Sequence, residues 1–116
     1  MWMYKSYDEI FSQGDSLKKT YKYILDNKNK FQELFNQCHP EEIIFLACGS
    51  SYLLTKSVLY NFEEETGVDT YAFSAGEIIM NKEYYRNRFN RPLIITPSRS
   101  GRTAEILYAL KFFKNN

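Results

Sequence analysis

The strongest constraint on the fold of this chain is a run of five consecutive apolar residues, Ile43, Ile44, Phe45, Leu46 and Ala47, that stops at Cys48-Gly49-Ser50-Ser51. Five residues are too few for a buried helix, and a strand with one wet face would alternate apolar with polar. An unbroken run fits a parallel strand covered on both faces. A second run of this kind occupies 93–96, opened by Pro92 and followed by Ser98-Arg99-Ser100-Gly101-Arg102-Thr103. Between the two, residues 52–66 place Leu54, Val58, Leu59 and Phe62 at helical spacing and end at Gly67, the expected C-cap. Residues 68–73 read as another strand, and Ser74 as the cap of a short helical turn through Glu77 and Ile78. Residues 82–91 read as a polar link and 104–114 as a last helix.

Strands alternating with helices of these lengths imply right-handed crossovers and a parallel sheet. The expected fold is therefore α/β with a parallel sheet, for which a doubly wound strand order 2-1-3 is expected. Two helices should precede it. Residues 4–11 form the first, Gly14 interrupts, and Asp15 or Ser16 caps a second that carries Leu17, Tyr21, Ile24, Leu25, Phe31, Leu34, Phe35 and Cys38 on one stripe. His39-Pro40 ends it, because a residue before proline is pushed out of the helical region. The domain reading is helices over 1–40 and sheet over 41–116. With 116 residues, 44% of them hydrophobic, the chain has room for one domain with a real core.

Charge narrows the partners. A net charge of +1 gives no global field for nucleic acid or an acidic membrane surface, so any anion site must be local. The 10 Tyr and 9 Phe fall mostly at core spacings, and nucleic-acid binding is not expected. No apolar stretch approaches the roughly 18 residues of a membrane span. The start Met1-Trp2-Met3-Tyr4-Lys5 lacks the basic and apolar regions of a signal peptide, so a cytoplasmic protein is expected. Cys38 and Cys48 have no Cys-x-x-Cys spacing, and His39 is the only histidine. Neither a disulfide framework nor a metal site is expected, and no cofactor is implied, since Gly-x-Gly-x-x-Gly and Gly-x-x-x-x-Gly-Lys-Ser/Thr are both absent.

The chemistry concentrates in the two hydroxyl-rich loops. In a 2-1-3 sheet, strands one and three are neighbours whose crossovers leave on opposite faces, opening a crevice beyond their carboxyl ends. Ser50, Ser51, Ser98, Ser100 and Thr103 should border it. Helix starts there offer unpaired amides and about half a positive charge, an arrangement suited to phosphate. One serine-rich loop alone is more often a helix cap; two converging loops reverse that judgement. Glu77, after strand two, is the best acid/base candidate, though a carboxylate in a first helical turn commonly serves the dipole. Cys48 reads as packed and inert.

These residues resemble the sugar isomerase (SIS) domain family. Members show Cys/Gly-Gly-Thr/Ser-Ser after the first strand, matched by Cys48, Gly49, Ser50 and Ser51, and Ser-x-Ser-Gly-x-Thr after the third, matched by Ser98, Ser100, Gly101 and Thr103. Ser74-Ala75-Gly76-Glu77-Ile78 is similar to a Ser-x-x-Glu-Phe segment. Glu9, Ile10 and Gln13 resemble the opening Glu-Ile-x-x-Gln-Pro, with Gly14 in place of proline. The resemblance implies that Ser51, Ser98, Ser100 and Thr103, with the amide of Arg99, ligate the phosphate of a hexose phosphate or amino-sugar phosphate, with Ser50 beside the sugar. Arg99 stands where the glucosamine-6-phosphate synthase relatives usually have glutamine, and so looks more like the deglycases and ketose isomerases. The resemblance further implies a homodimer, a three-layer parallel sheet of the SIS (flavodoxin-like) type with five strands, of which this chain holds three, and a catalytic base from segments beyond Asn116. The chain then reads as the N-terminal piece of a two-domain phosphosugar isomerase or deglycase, inactive alone. The alternative is a sugar-phosphate-sensing regulatory domain without catalysis; the roughly 40 residues before strand one show no basic recognition helix, which favours the enzyme.

Overall fold

A computed structural model describes residues 4–115; Asn116 and the Met1–Met3 stretch used above to argue against a leader lie outside the described residues. The chain divides into two compact units, Met1–Cys38 and His39–Asn116. The first holds helices α1 (Lys5–Asp26) and α2 (Lys28–Cys38), in which no described residue is buried.

Gly14 does not interrupt α1. A glycine inside a helix costs only about 1 kcal/mol against alanine. Asp15 and Ser16, expected to cap a new helix there, lie inside α1, where Thr20 Oγ1 donates to the Ser16 carbonyl at 2.9 Å and Ser12 Oγ to that of Glu9 at 3.1 Å. The break comes at Asn27, at φ −107° and ψ 11°, whose side-chain amide donates to the Tyr23 carbonyl at 2.9 Å. Asparagine competes with the helix for its own backbone, and that local competition outweighs the glycine.

The second unit runs β1 (Glu42–Ala47), α3 (Gly49–Thr66), β2 (Asp69–Ser74), α4 (Ala75–Met80), α5 (Lys82–Tyr85), β3 (Pro92–Ile95) and α6 (Ala104–Asn115). The sheet is parallel with order β2-β1-β3, as expected, and Ile44 lies between Tyr71 and Ile94. All five residues of the apolar run are buried, because β1 is the central strand. Successive side chains point to opposite faces. Phe45 meets Phe62 of α3 edge-on at 5.2 Å, and Leu46 joins Ile78 of α4 and Ile106, Ala109 and Phe112 of α6. Two helical layers thus cover the sheet, giving the three-layer α/β fold.

The expected polar link over 82–91 is corrected. It contains α5, and its Tyr85 is buried in the core with Phe89 packed against it. Two aromatics at i and i+4 amid Lys, Glu, Arg and Asn make one contact row too narrow to register as an amphipathic pattern. The first loop is also tighter than expected. Helix α3 begins at Gly49 rather than Tyr52, because Gly49 takes φ +55° and turns the chain from strand to helix in one residue.

Candidate functional site

Beyond the carboxyl ends of β1 and β3 lies a cavity of about 250 Å³. Ser51 and Cys48 form one side of it; Pro97, Ser98, Arg99 and Ser100 form the other; Thr103 and Ile106 close it from the α6 end. Of the residues singled out in the sequence, Ser51, Ser98, Arg99, Ser100 and Thr103 share this lining, while Ser50 and Glu77 do not. Typical ligand clefts hold roughly 300–1,000 Å³, so the space suits a phosphate better than a whole phosphosugar.

Two helices start at its edge. Ser51 lies in the first turn of α3, whose N-cap Cys48 makes no side-chain capping bond, so the leading amides of that helix have no acceptor within it. Thr103 immediately precedes α6, and its carbonyl accepts the Leu107 amide at 3.1 Å. Each helix start adds about half a positive charge. Arg99 is the charged residue of the lining among the described residues, and it is exposed.

The 96–103 segment is ordered by its own serines. Gly101, at φ +64°, donates its amide to Ser98 Oγ at 3.0 Å, and the Arg102 amide donates to Ser100 Oγ at 3.1 Å. In both bonds the hydroxyl accepts, which leaves its own hydrogen available to a ligand. The two amides are thereby satisfied without a ligand, and the loop keeps its shape.

Cys48 lines the cavity, yet its thiol is pushed up from its ordinary range. Burial is the main cause; the Ala75 amide partly offsets it, and the charge of Glu105 adds to it. A thiol held neutral is a wall, not a nucleophile. Glu77 is fixed elsewhere. Its amide donates to Ser74 Oγ at 3.2 Å, and its carboxylate accepts the Tyr85 hydroxyl at 2.7 Å. Burial, followed by that bond, raises Tyr85 to about 12. The wall residues Pro97 and Ile106 carried no chemical signal in the sequence; only their neighbourhood to Ser98 and Thr103 pointed to them.

No helix among the described residues is long and apolar enough to cross a membrane, and no protein-family model matches the chain. The chain is 35% identical over 113 residues to a glutamine–fructose-6-phosphate aminotransferase (isomerizing) of Buchnera aphidicola, covering 91% of this chain and 18% of that protein. It is 31% identical over 117 residues to the aminotransferase of the same name from Chlamydia abortus, covering 97% and 19%. It therefore spans about a fifth of the length of the curated relatives it matches. In three dimensions it resembles a tagatose-6-phosphate ketose/aldose isomerase from Escherichia coli, with a TM-score of 0.80 at 20% identity over 93% of this chain and 30% of that one. A Clostridium novyi structure described as the same kind of isomerase gives 0.79 at 23% identity, covering 93% and 28%.

Proposed function

We propose that this chain, whose fold is that of the sugar isomerase domains, supplies the phosphate anchor of an enzyme interconverting the aldose and ketose forms of a hexose 6-phosphate or amino-sugar phosphate. The observation that carries the reading is the cavity at the ends of β1 and β3, where Ser51, Ser98, Ser100, Thr103 and Arg99 meet two helix starts. A phosphate dianion there accepts hydroxyl hydrogens from the serines and threonine. It is held by the field of both helices, and Arg99 adds a guanidinium able to grip two oxygens. Because Ser98 and Ser100 are already aligned by the loop amides, little ordering remains to be done on binding. Ser50, one residue before Ser51 in the first turn of α3, sits beside the sugar.

Isomerisation also needs a base that moves a proton between C1 and C2. In this reading the base is a group outside the cavity lining. Glu77, engaged by Tyr85, orders the turn from β2 into α4 instead. The similarity to isomerizing aminotransferases supports the sugar-phosphate class. The cytoplasm as location and a homodimer as assembly belong to the same proposal. The test is calorimetric titration of the chain with fructose 6-phosphate and with fructose. Binding of the phosphorylated sugar alone is the expected result; equal binding of both would refute the anchor.

A further inference from the structure

A second, larger cavity of about 560 Å³ lies beside β2 and the start of β1, and its lining shares no residue with the first. Its interior is aromatic: Tyr71 and Phe73 of β2 face it together with Tyr85 and Phe89. The rings support one another, Phe73 lying 5.7 Å from Phe89 and 5.2 Å from Tyr85. Two opposite charges complete the lining. Glu42, the half-buried first residue of β1, is held by the Asn90 amide at 2.7 Å on one carboxylate oxygen. Arg88 is poised with its guanidinium 4.8 Å over the ring of Tyr84.

Neither charge is in an ion pair. The pairs among the described residues are Arg86 with Glu83 and Arg91 with Glu41, so Glu42 and Arg88 face one cavity without neutralising each other. Unpaired opposite charges flanking an aromatic interior complement a small molecule that is itself dipolar with a flat apolar body. We propose that this cavity binds a free aromatic amino acid, its ring packed against the cavity face of the Tyr71, Phe73 and Phe89 cluster, its ammonium on Glu42 and its carboxylate on Arg88. The site is independent of the phosphate anchor.

Calorimetry and saturation-transfer NMR on the full chain would use L-phenylalanine as probe. N-acetyl-L-phenylalanine lacks the ammonium, L-phenylalanine amide lacks the carboxylate, and L-alanine lacks the ring. L-phenylalanine should bind, and each of the other three should bind at least about tenfold more weakly. Glu42→Gln keeps an acceptor for the Asn90 amide, so the fold should survive as judged by an unchanged melting temperature, while L-phenylalanine binding falls by a similar factor; Arg88→Gln should do the same. Joint replacement of Ser98 and Ser100 by alanine should leave this binding untouched. Failure of L-phenylalanine to bind at millimolar concentration overturns the proposal, as does equal binding of the amide or acetyl forms. A concentration-dependent dimer that dissociates on Phe89→Ala would also overturn it, assigning the cavity to a second copy.

Discussion

The two hydroxyl-rich loops face the same cavity and are built differently. The first has almost no length: Gly49 turns at φ +55°, and Ser51 already belongs to α3. Its groups are placed by a helix of 18 residues that packs on β1 and β2. The second spans 96–103 between Ile95 and Ala104, and without the Ser98 and Ser100 bonds its Gly101 and Arg102 amides would lack these partners. A helix start is held by the tertiary structure, whereas a free loop must hold itself. In the second loop, the groups proposed to grip the ligand are also the groups that keep the shape.

That difference orders the expected effects. Replacing Ser98 and Ser100 together by alanine removes two hydroxyl donors and the oxygens that accept from the Gly101 and Arg102 amides. Fructose 6-phosphate binding should fall roughly 100-fold by calorimetry, with binding of any unphosphorylated sugar unchanged. Ser51→Ala removes one donor from a turn that the helix holds regardless, and about a tenfold loss is expected. If Ser51→Ala proves the more damaging of the two, the loops do not differ as described.

Stability tests the contrast from the backbone side. A Cβ at Gly49 or Gly101 would meet nothing within 4 Å, so alanine at either position should cost only the strain of a left-handed residue, about 1 kcal/mol by denaturant unfolding. A much larger cost at Gly101 would mean that loop geometry controls the fold as well as the site. The third strand-end segment, after β2, provides the control. Tyr85 in the folded chain keeps its proton to about 12 against an ordinary 10. The folded state therefore favours the neutral phenol: that stability is fully present below about pH 10 and is lost as pH rises through 12. Tyr85→Phe should remove this part of the alkaline decline, measured as a difference from the parent chain, without weakening phosphate binding. An unaltered decline in the variant would show that the Tyr85–Glu77 bond contributes nothing to it.

Much of the fold was legible because β1 carries its signal in five adjacent residues, and burial on both faces leaves no polar position to confuse the period. The strands and the helices between them followed from spacing. Other features were not legible. The helix break moved from Gly14 to Asn27 because an intrinsic cost of about 1 kcal/mol does not decide a 22-residue helix. Tyr85 and Phe89 looked like linker residues because their partners, Phe73 and Phe113, lie elsewhere in the chain. Of the candidate site residues, those on the two loops could be listed from motif and order, but that the Glu77 carboxylate accepts the Tyr85 hydroxyl, eight residues on, carried no signal in the sequence.

By itself, the sequence determined the local alphabet: which segments are strand or helix, and which loops offer hydroxyls and glycines where a helix begins. These depend on neighbours along the chain, whose preferences need no distant partner. The tertiary structure alone decided that Ser50 and Glu77 fall outside the cavity that Ser51, Ser98, Ser100 and Thr103 share, and that an aromatic cavity with Glu42 and Arg88 lies beside β2 and the start of β1. Each of these depends on contacts between residues far apart in sequence, where burial and electrostatics are set by what folding brings together.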